Sequence, residues 1–477
     1  MKTAMRSGGG RVRLGGTTLV IPLLLAVLLQ FGPIALAHQS DPAQQAGTKP
    51  NIVLIVTDDQ RWDSLWSMPT VQRKLVDHGV NFTNGFVVNS LCCPSRASIL
   101  TGRYSHGTGV YTNDEPYGGF SRFKDSSTLA TWLQAAGYQT ALVGKYLNQY
   151  SDTTYIPPGW NEWDVVSRAE GVAYYNYRLN VNGTLKSFGR KARDYSTSVF
   201  TRKATKFMGS APAPFFLYFA PSAPHTPAVP PPGSEHAFRH LKRWRPPSYN
   251  EPDVKDKPRW LADTRRLNTR ARSDLDKTRK NQYMTLVAVD QAVKEIVSTL
   301  RETGHLHDTM IMFMSDNGYL WGEHRLRGKQ APYEESIRIP MVVRFDPLTT
   351  QARTDGNLAL NIDVAPTFAD LADVPAPSAD GGSLLPLLGS AGAPWRSDFL
   401  IEHVASHPEI PTYCAVRNQQ YLYVLYRRGD QELYDLAADP YQLENRAADP
   451  LFAGVVQSMR TRLGELCSPA PPGYSPP

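Results

Sequence analysis

Four short apolar runs, each ending in a polar turn, constrain this chain more than any other feature. Ile52-Val53-Leu54-Ile55-Val56 is continuous and β-branched, and it ends in Thr57-Asp58-Asp59-Gln60. Thr140-Ala141-Leu142-Val143 ends in Gly144-Lys145. Phe215-Phe216-Leu217-Tyr218-Phe219 leads, after a short loop, to Pro224-His225-Thr226-Pro227. Met310-Ile311-Met312-Phe313-Met314 ends in Ser315-Asp316-Asn317-Gly318. Unbroken apolar runs of this length are expected of strands buried on both faces. Amphipathic helices lie between them. Ser127 to Ala136 carries Leu129, Trp132 and Leu133 at helical spacing, and a helix ending near Arg301 carries Tyr283, Leu286, Val289, Val293, Ile296 and Leu300 on one stripe. Strands alternating with helices predict an α/β fold with a large, mostly parallel sheet flanked by helices. Ligands of such sheets bind beyond the carboxyl ends of the strands, so the four turns converge there without being neighbours in sequence. Taken singly, each turn has a plainer reading: a capped turn at Asp58-Asp59, a solvated strand end at Lys145, a loop histidine at His225, an ordinary turn at Asp316-Asn317-Gly318.

Cys92-Cys93-Pro94-Ser95-Arg96 precedes Ala97-Ser98-Ile99-Leu100 and Thr101-Gly102-Arg103. Proline suits the first turn of a helix and glycine its end, so a short helix is expected with Cys92 just ahead of its N-terminus. Unpaired N–H groups there favour an anion, and Arg96 lies about one turn on. The plain alternative is a buried cysteine pair ahead of a short core helix.

The stretch from Cys92 through Arg103 resembles the signature of the formylglycine-dependent sulfatases of the alkaline phosphatase superfamily. The form Gly144-Lys145-Tyr146-Leu147-Asn148 and the later Ser-Asp-Asn-Gly-Tyr are similar to the N-acetylglucosamine-6-sulfatase branch. The resemblance extends from about Asn51 to about Cys467 and implies an alkaline phosphatase-like fold. It implies that Cys92 is oxidised to formylglycine by a formylglycine-generating enzyme, and that the aldehyde hydrate attacks a sulfate monoester. It implies one divalent cation, Ca²⁺ or alternatively Mg²⁺, held by Asp58, Asp59, Asp316, Asn317 and the modified Cys92. A set of hard oxygen donors suits these ions better than zinc. Arg96 is expected to steady the hydrate; Lys145, His225 and Lys329, the last in Gly328-Lys329-Gln330-Ala331-Pro332, are expected to contact the sulfate or the leaving oxygen. His324 is a weaker candidate. Many sulfatases carry a histidine two residues after the strand-end lysine; here that position is Leu147, and Asn148 is a stand-in only by position. The substrate implied is a sulfated sugar or other small sulfate ester. The alternatives are a phosphonate or phosphate ester hydrolase of the same superfamily and a secreted glycan-binding protein without catalysis.

The chain has 477 residues, enough for a large core and a smaller second domain. Lys2, Arg6, Arg11 and Arg13, the apolar run from Leu19 to Leu29, and Ala35-Leu36-Ala37 read as a signal peptide over 1–37. The protein is therefore expected outside the cytoplasm, without a stable membrane span. Net charge is +7, a bias that suits an anionic substrate. Between Pro230 and Lys280 runs a Pro-rich, then basic segment with Arg239, Lys242, Arg243, Arg245, Arg265, Arg266 and Arg270. Interleaved Asp253, Asp256, Asp263 and Asp274 argue against a nucleic-acid arm, and the segment reads as a solvated insertion or a rim for a sulfated glycan. Asn81-Phe-Thr and Asn182-Gly-Thr are glycosylation sequons in a eukaryotic host. The catalytic domain is expected over 50–394. A smaller domain over 395–467 reads as short strands at Phe399 to Glu402, Cys414 to Arg417, Tyr421 to Tyr426 and Glu432 to Tyr434, then a closing helix. Cys414 and Cys467 are expected to pair as a disulfide in an exported protein, and the Pro-rich tail 468–477 to be disordered.

Overall fold

The computed structural model describes residues 49–475 apart from positions 152, 170, 391 and 406–409. The expected signal peptide lies outside the described residues. Among the described residues no helix is long and apolar enough to cross a membrane.

The main sheet contains β1 (Asn51–Thr57), β2 (Val80–Phe82), β3 (Gln139–Gly144), β4 (Glu162–Val166), β5 (Tyr177–Val181), β6 (Thr184–Phe188), β7 (Phe215–Ala220), β8 (Thr309–Ser315), β9 (Met341–Arg344) and β10 (Arg353–Asp355). Their order is β10-β2-β9-β8-β1-β7-β3-β4-β5-β6. The central run β8-β1-β7-β3-β4 is parallel throughout. The expected runs become β1, β3, β7 and β8, four adjacent strands whose carboxyl ends share one edge. Antiparallel β9 and the β5–β6 hairpin flank this block.

Side chains of the central strands alternate between two cores, as the pleat requires. Ile52, Leu54 and Val56 pack with α1 (Cys92–Thr101), α2 (Leu129–Ala135) and α5 (Val364–Leu371). Val53 and Ile55 pack with α3 (Ser196–Ser210) and α4 (Thr269–Glu302) on the other face. Helix α4 begins inside the segment read as basic insertion. Its N-cap Asn268 accepts from the Ala271 N–H at 2.9 Å, and the Arg, Lys and Leu that follow are good helix formers.

The C-terminal strands β11 (Asp398–His403), β12 (Tyr413–Asn418), β13 (Tyr421–Tyr426) and β14 (Gln431–Asp435) form an antiparallel sheet. Helix α6 (Ala453–Leu466) closes it, and a Cys414–Cys467 disulfide ties the helix end to β12. One face of this sheet continues the core of the larger part: Phe399, Tyr413 and Tyr426 cluster with Phe86, Leu320 and Tyr333. Tyr474 is buried and its hydroxyl donates to the Leu425 carbonyl at 3.2 Å, because one aromatic side chain next to the disulfide anchor has an apolar site to fill.

Candidate active site

The turns are knitted by backbone N–H groups at the strand ends. Asp59 has φ of 68°, a left-handed conformation that Asp tolerates better than most residues. The Asp59 N–H donates to Asp316 Oδ1 at 3.1 Å and the Gln60 N–H to Ser315 Oγ at 2.9 Å. The Asp58 N–H donates to the Ala223 carbonyl at 3.1 Å, which brings in the loop after β7.

Helix α1 delivers the cysteine. Cys92 is its first residue rather than the residue ahead of it, Leu91 supplies the extended N-cap, and Gly102 closes the helix at φ 71°. The Cys93 N–H, one of the open donors of the first turn, reaches Asn113 Oδ1 at 2.9 Å. Cys92 Sγ donates to Asp58 Oδ1 at 3.3 Å and accepts from Lys329 Nζ at 2.7 Å. Lys329 Nζ also pairs with Asp59 Oδ1. Lys145 Nζ pairs with Asp58 Oδ2 at 2.7 Å, both fully buried. Arg96 Nε pairs with Asp316 Oδ2 at 2.8 Å, and its Nη1 donates to the Lys145 carbonyl at 3.1 Å. Asn317 Nδ2 donates to Asp59 Oδ1 at 2.7 Å. His225 Nε2 lies 3.6 Å from Asp59 Oδ2. The fold thus brings together Asp58, Asp59, Cys92, Arg96, Lys145, His225, Asp316, Asn317 and Lys329.

Burial works to raise the Asp58 carboxyl, but Lys145, His225, Arg96 and Lys329 outweigh it and hold the group well below the usual carboxylate range. Asp316 moves up, from burial and then from the charge of Asp58. Burial, then Asp58, pushes the Cys92 thiol up, so the sulfur is protonated as it stands. Burial opposes the charge on Lys145 and Lys329, yet Asp58 and Asp59 respectively lift each above its ordinary value. Both ammonium groups stay charged.

The donor set fits a divalent cation. Ligand atoms of Asp58, Asp59, Cys92 and His225 lie within 4.8 Å of one another. Asn317 Oδ1 is buried with no hydrogen bond, an atom left over by the protein that a cation would satisfy. Asp316 already takes the Asp59 N–H and Arg96, although each of its oxygens keeps a second lone pair.

A cavity of about 690 Å³ opens beside His225, lined among others by Arg168, Tyr174, Tyr175, Asn176 and Arg190. The Tyr174 hydroxyl donates to the His225 carbonyl at 2.7 Å. Sequence reasoning missed this wall, and it missed Asn113. Leu147 packs in the apolar core, so no side chain from that position takes a histidine's place, and the Asn148 carbonyl accepts the Phe120 N–H at 2.8 Å. His324 is buried on Glu251 Oε2 at 2.8 Å and stacked on Tyr333 at 4.0 Å; burial, then Lys257, brings its pKa down to about 3. On the far side of Lys329, the Tyr413 hydroxyl of β12 donates to the Gln330 carbonyl at 2.7 Å.

The parallel α/β sheet thus gathers acids, a buried thiol and two ammonium groups at its strand ends. The chain belongs to the sulfatase family, which matches residues 50–374; the family described as N-sulphoglucosamine sulphohydrolase, C-terminal, matches residues 322–468. The human N-acetylglucosamine-6-sulfatase is 33% identical over 89% of this chain and 86% of its own length. The Sulf-1 homolog of Caenorhabditis elegans, a putative extracellular sulfatase, is 36% identical over 74% of this chain. The chain spans about half of that relative, 52% of its length. The structure of BT4656 in complex with its substrate D-glucosamine-2-N,6-O-disulfate superposes with a TM-score of 0.77 at 25% identity, covering 88% of this chain and 97% of that one.

Proposed function

We propose that this protein is a sulfuric ester hydrolase that removes sulfate from a sulfated sugar outside the cytoplasm. The observation that carries the reading is the placement of Cys92 Sγ between Asp58 and Lys329, with Lys145, Arg96 and His225 around it. The human relative is an N-acetylglucosamine-6-sulfatase and the substrate of BT4656 is a glucosamine disulfate, which supports a sulfated sugar as substrate.

Formylglycine at position 92 would supply a hydrated aldehyde oxygen as nucleophile and one divalent cation, Ca²⁺ or Mg²⁺, would supply Lewis acidity. Asp58, Asp59, Asp316 and Asn317 would hold the cation. Arg96, fixed by Asp316 and the Lys145 carbonyl, orients side chain 92. Lys145 and Lys329 present positive charge to the sulfuryl oxygens, where negative charge accumulates. The Thr226 carbonyl only accepts, so His225 Nδ1 carries the hydrogen in their 2.5 Å contact. This fixes the ring, and when protonated it offers Nε2–H to the leaving oxygen. The cavity beside His225 receives the sugar. Secretion is supported by the basic and apolar start of the chain, by the extracellular relatives and by the Cys414–Cys467 disulfide, a bond suited to oxidising compartments.

The test is the mass of the Cys92 peptide from protein secreted by its host, together with turnover of matched aryl sulfate and aryl phosphate. The expected result is an aldehyde or its hydrate at position 92 and faster sulfate release. An unmodified thiol in active protein overturns the nucleophile, and faster phosphate release reassigns the ester class.

A further inference from the structure

A second cavity, of about 630 Å³, lies on the segment between β7 and α4 and shares no lining residue with the one beside His225. Its walls combine Arg239, Lys242, Arg243 and Arg279 with Trp66, Phe238 and Trp244, and among the described residues no carboxylate lines it. Trp66 leaves 55% of its surface in solvent, yet the ring is held in place, edge-on to Phe238 at 5.8 Å and tilted on Tyr283 at 5.0 Å. Phe238 adopts φ of 56°, a conformation unfavourable for an aromatic residue and most often kept where a site requires it.

The basic groups are free to take a ligand. Arg239 and Lys242 are exposed and have no ion pair among the described residues. Among the described residues Arg243 pairs only with Asp276, at 3.9 Å, and that carboxylate is already held by both Nη atoms of Arg245. Arg279 is 7% exposed and sits among Trp244, Tyr283 and Trp321 with 5.1–5.4 Å from guanidinium to ring. Its Nη1 donates to the Lys242 carbonyl at 2.8 Å, while its Nε is buried with no hydrogen bond. Arg279 thus lends its charge to the wall from beneath the aromatic rings, while the exposed Arg239, Lys242 and Arg243 supply the donors that a bound anion would meet.

We propose that this cavity binds a sulfated stretch of a glycan chain, away from the ester being cleaved. The choice of a sulfated glycan rests on the proposed function. Guanidinium forks match the oxygens of a sulfate group, and an exposed, immobilised indole offers a flat apolar face to a sugar ring. The active site then handles one sulfate while the second cavity holds the polymer that carries it.

The experiment uses the full chain and a double variant, Arg239→Ser with Lys242→Ser, plus Trp66→Ala. The probes are a heparin-derived sulfated octasaccharide, its desulfated counterpart and a single-stranded oligonucleotide of equal charge, titrated calorimetrically at about 0.15 M salt. Turnover of 4-nitrophenyl sulfate, too small to reach both sites, is followed in parallel. The unaltered protein should bind the sulfated octasaccharide and not the desulfated one. The double variant should bind it about tenfold more weakly, Trp66→Ala should also weaken it, and aryl sulfate turnover should stay within about twofold because neither change touches the catalytic groups. Equal octasaccharide binding by the double variant and the unaltered protein overturns the proposal. So does equal binding of the desulfated chain, or tighter binding of the oligonucleotide. If no preparation turns over aryl sulfate while the octasaccharide still discriminates the variants, the proposed function fails and this binding site stands.

Discussion

Two buried polar clusters differ in how completely their groups are matched. In the C-terminal sheet, Glu432 is fully buried and accepts the hydroxyls of Tyr333, Tyr426 and Tyr434, each at 2.8 Å. Lys257 beside it spends its three donors on the Tyr434 hydroxyl and the Gln442 and Leu443 carbonyls. At the strand ends of the main sheet, three aspartates meet two lysines, an arginine and a histidine, yet Arg96 Nη2 and Asn317 Oδ1 remain buried with no hydrogen bond. A closed network rigidifies its surroundings; an open one keeps capacity for a ligand. The contrast separates structural from chemical polarity better than burial does, since Asp58, Lys145 and Asp316 of the open cluster are as deeply buried as Glu432.

The sharpest break of this contrast comes from Cys92→Ala. Aryl sulfate turnover should fall by more than about a thousandfold, with a thermal midpoint shifted by only a few degrees, because the lost volume is small. Retained turnover would remove the nucleophile from the open cluster. Glu432→Ala should do the reverse, leaving three tyrosine hydroxyls without their acceptor. Chemical denaturation should show a loss of about 3–5 kcal/mol, and a loss below about 1 kcal/mol would mean the closed cluster is not what holds this sheet together.

A third measurement follows pH. His403 on β11 is buried against Tyr413, and burial lowers its pKa from 6.5 to about 4. Between those values the unfolded chain holds the extra proton and the folded one does not. Stability should therefore fall as pH drops from 6.5 toward 4, by up to about 3 kcal/mol from this group. Denaturation series for His403→Gln should show a flatter slope across that window; an unchanged slope assigns the acid sensitivity elsewhere. The smallest effect belongs to Asn317→Ala, which should weaken divalent-cation affinity by about 10–100-fold in calorimetric titrations with Ca²⁺ and with Mg²⁺. Unchanged affinity would take the orphan oxygen out of the cation site.

Much of the strand-end cluster's placement was legible because its strands are unbroken apolar runs, and because Pro94 and Gly102 punctuate α1. The four turns needed only the rule that parallel strands present their carboxyl ends together. Other parts were silent for a physical reason. Asn113 sits in a loop where asparagine has an ordinary turn reading, and only the folded chain brings its side chain to the Cys93 N–H. The wall of Arg168, Tyr174 and Asn176 lies between β4 and β5 without periodicity, and it acquires meaning through a hydroxyl that reaches His225 across 51 positions. The β5–β6 hairpin did carry a signal. Asn182-Gly183, both at positive φ, is the two-residue turn that hairpins favour, here read first as a sequon.

The contact between the Tyr413 hydroxyl and the Gln330 carbonyl has a consequence in time. Gln330, next to Lys329, leaves the ribosome 83 positions before the side chain that steadies it. At roughly 5–20 residues per second that interval lasts about 4–17 s. During it, β1, β3, β7 and β8 have all been made while the sheet that braces the Lys329 loop has not. The newborn chain therefore passes through a stage in which the edge carrying Cys92 exists but its last brace does not.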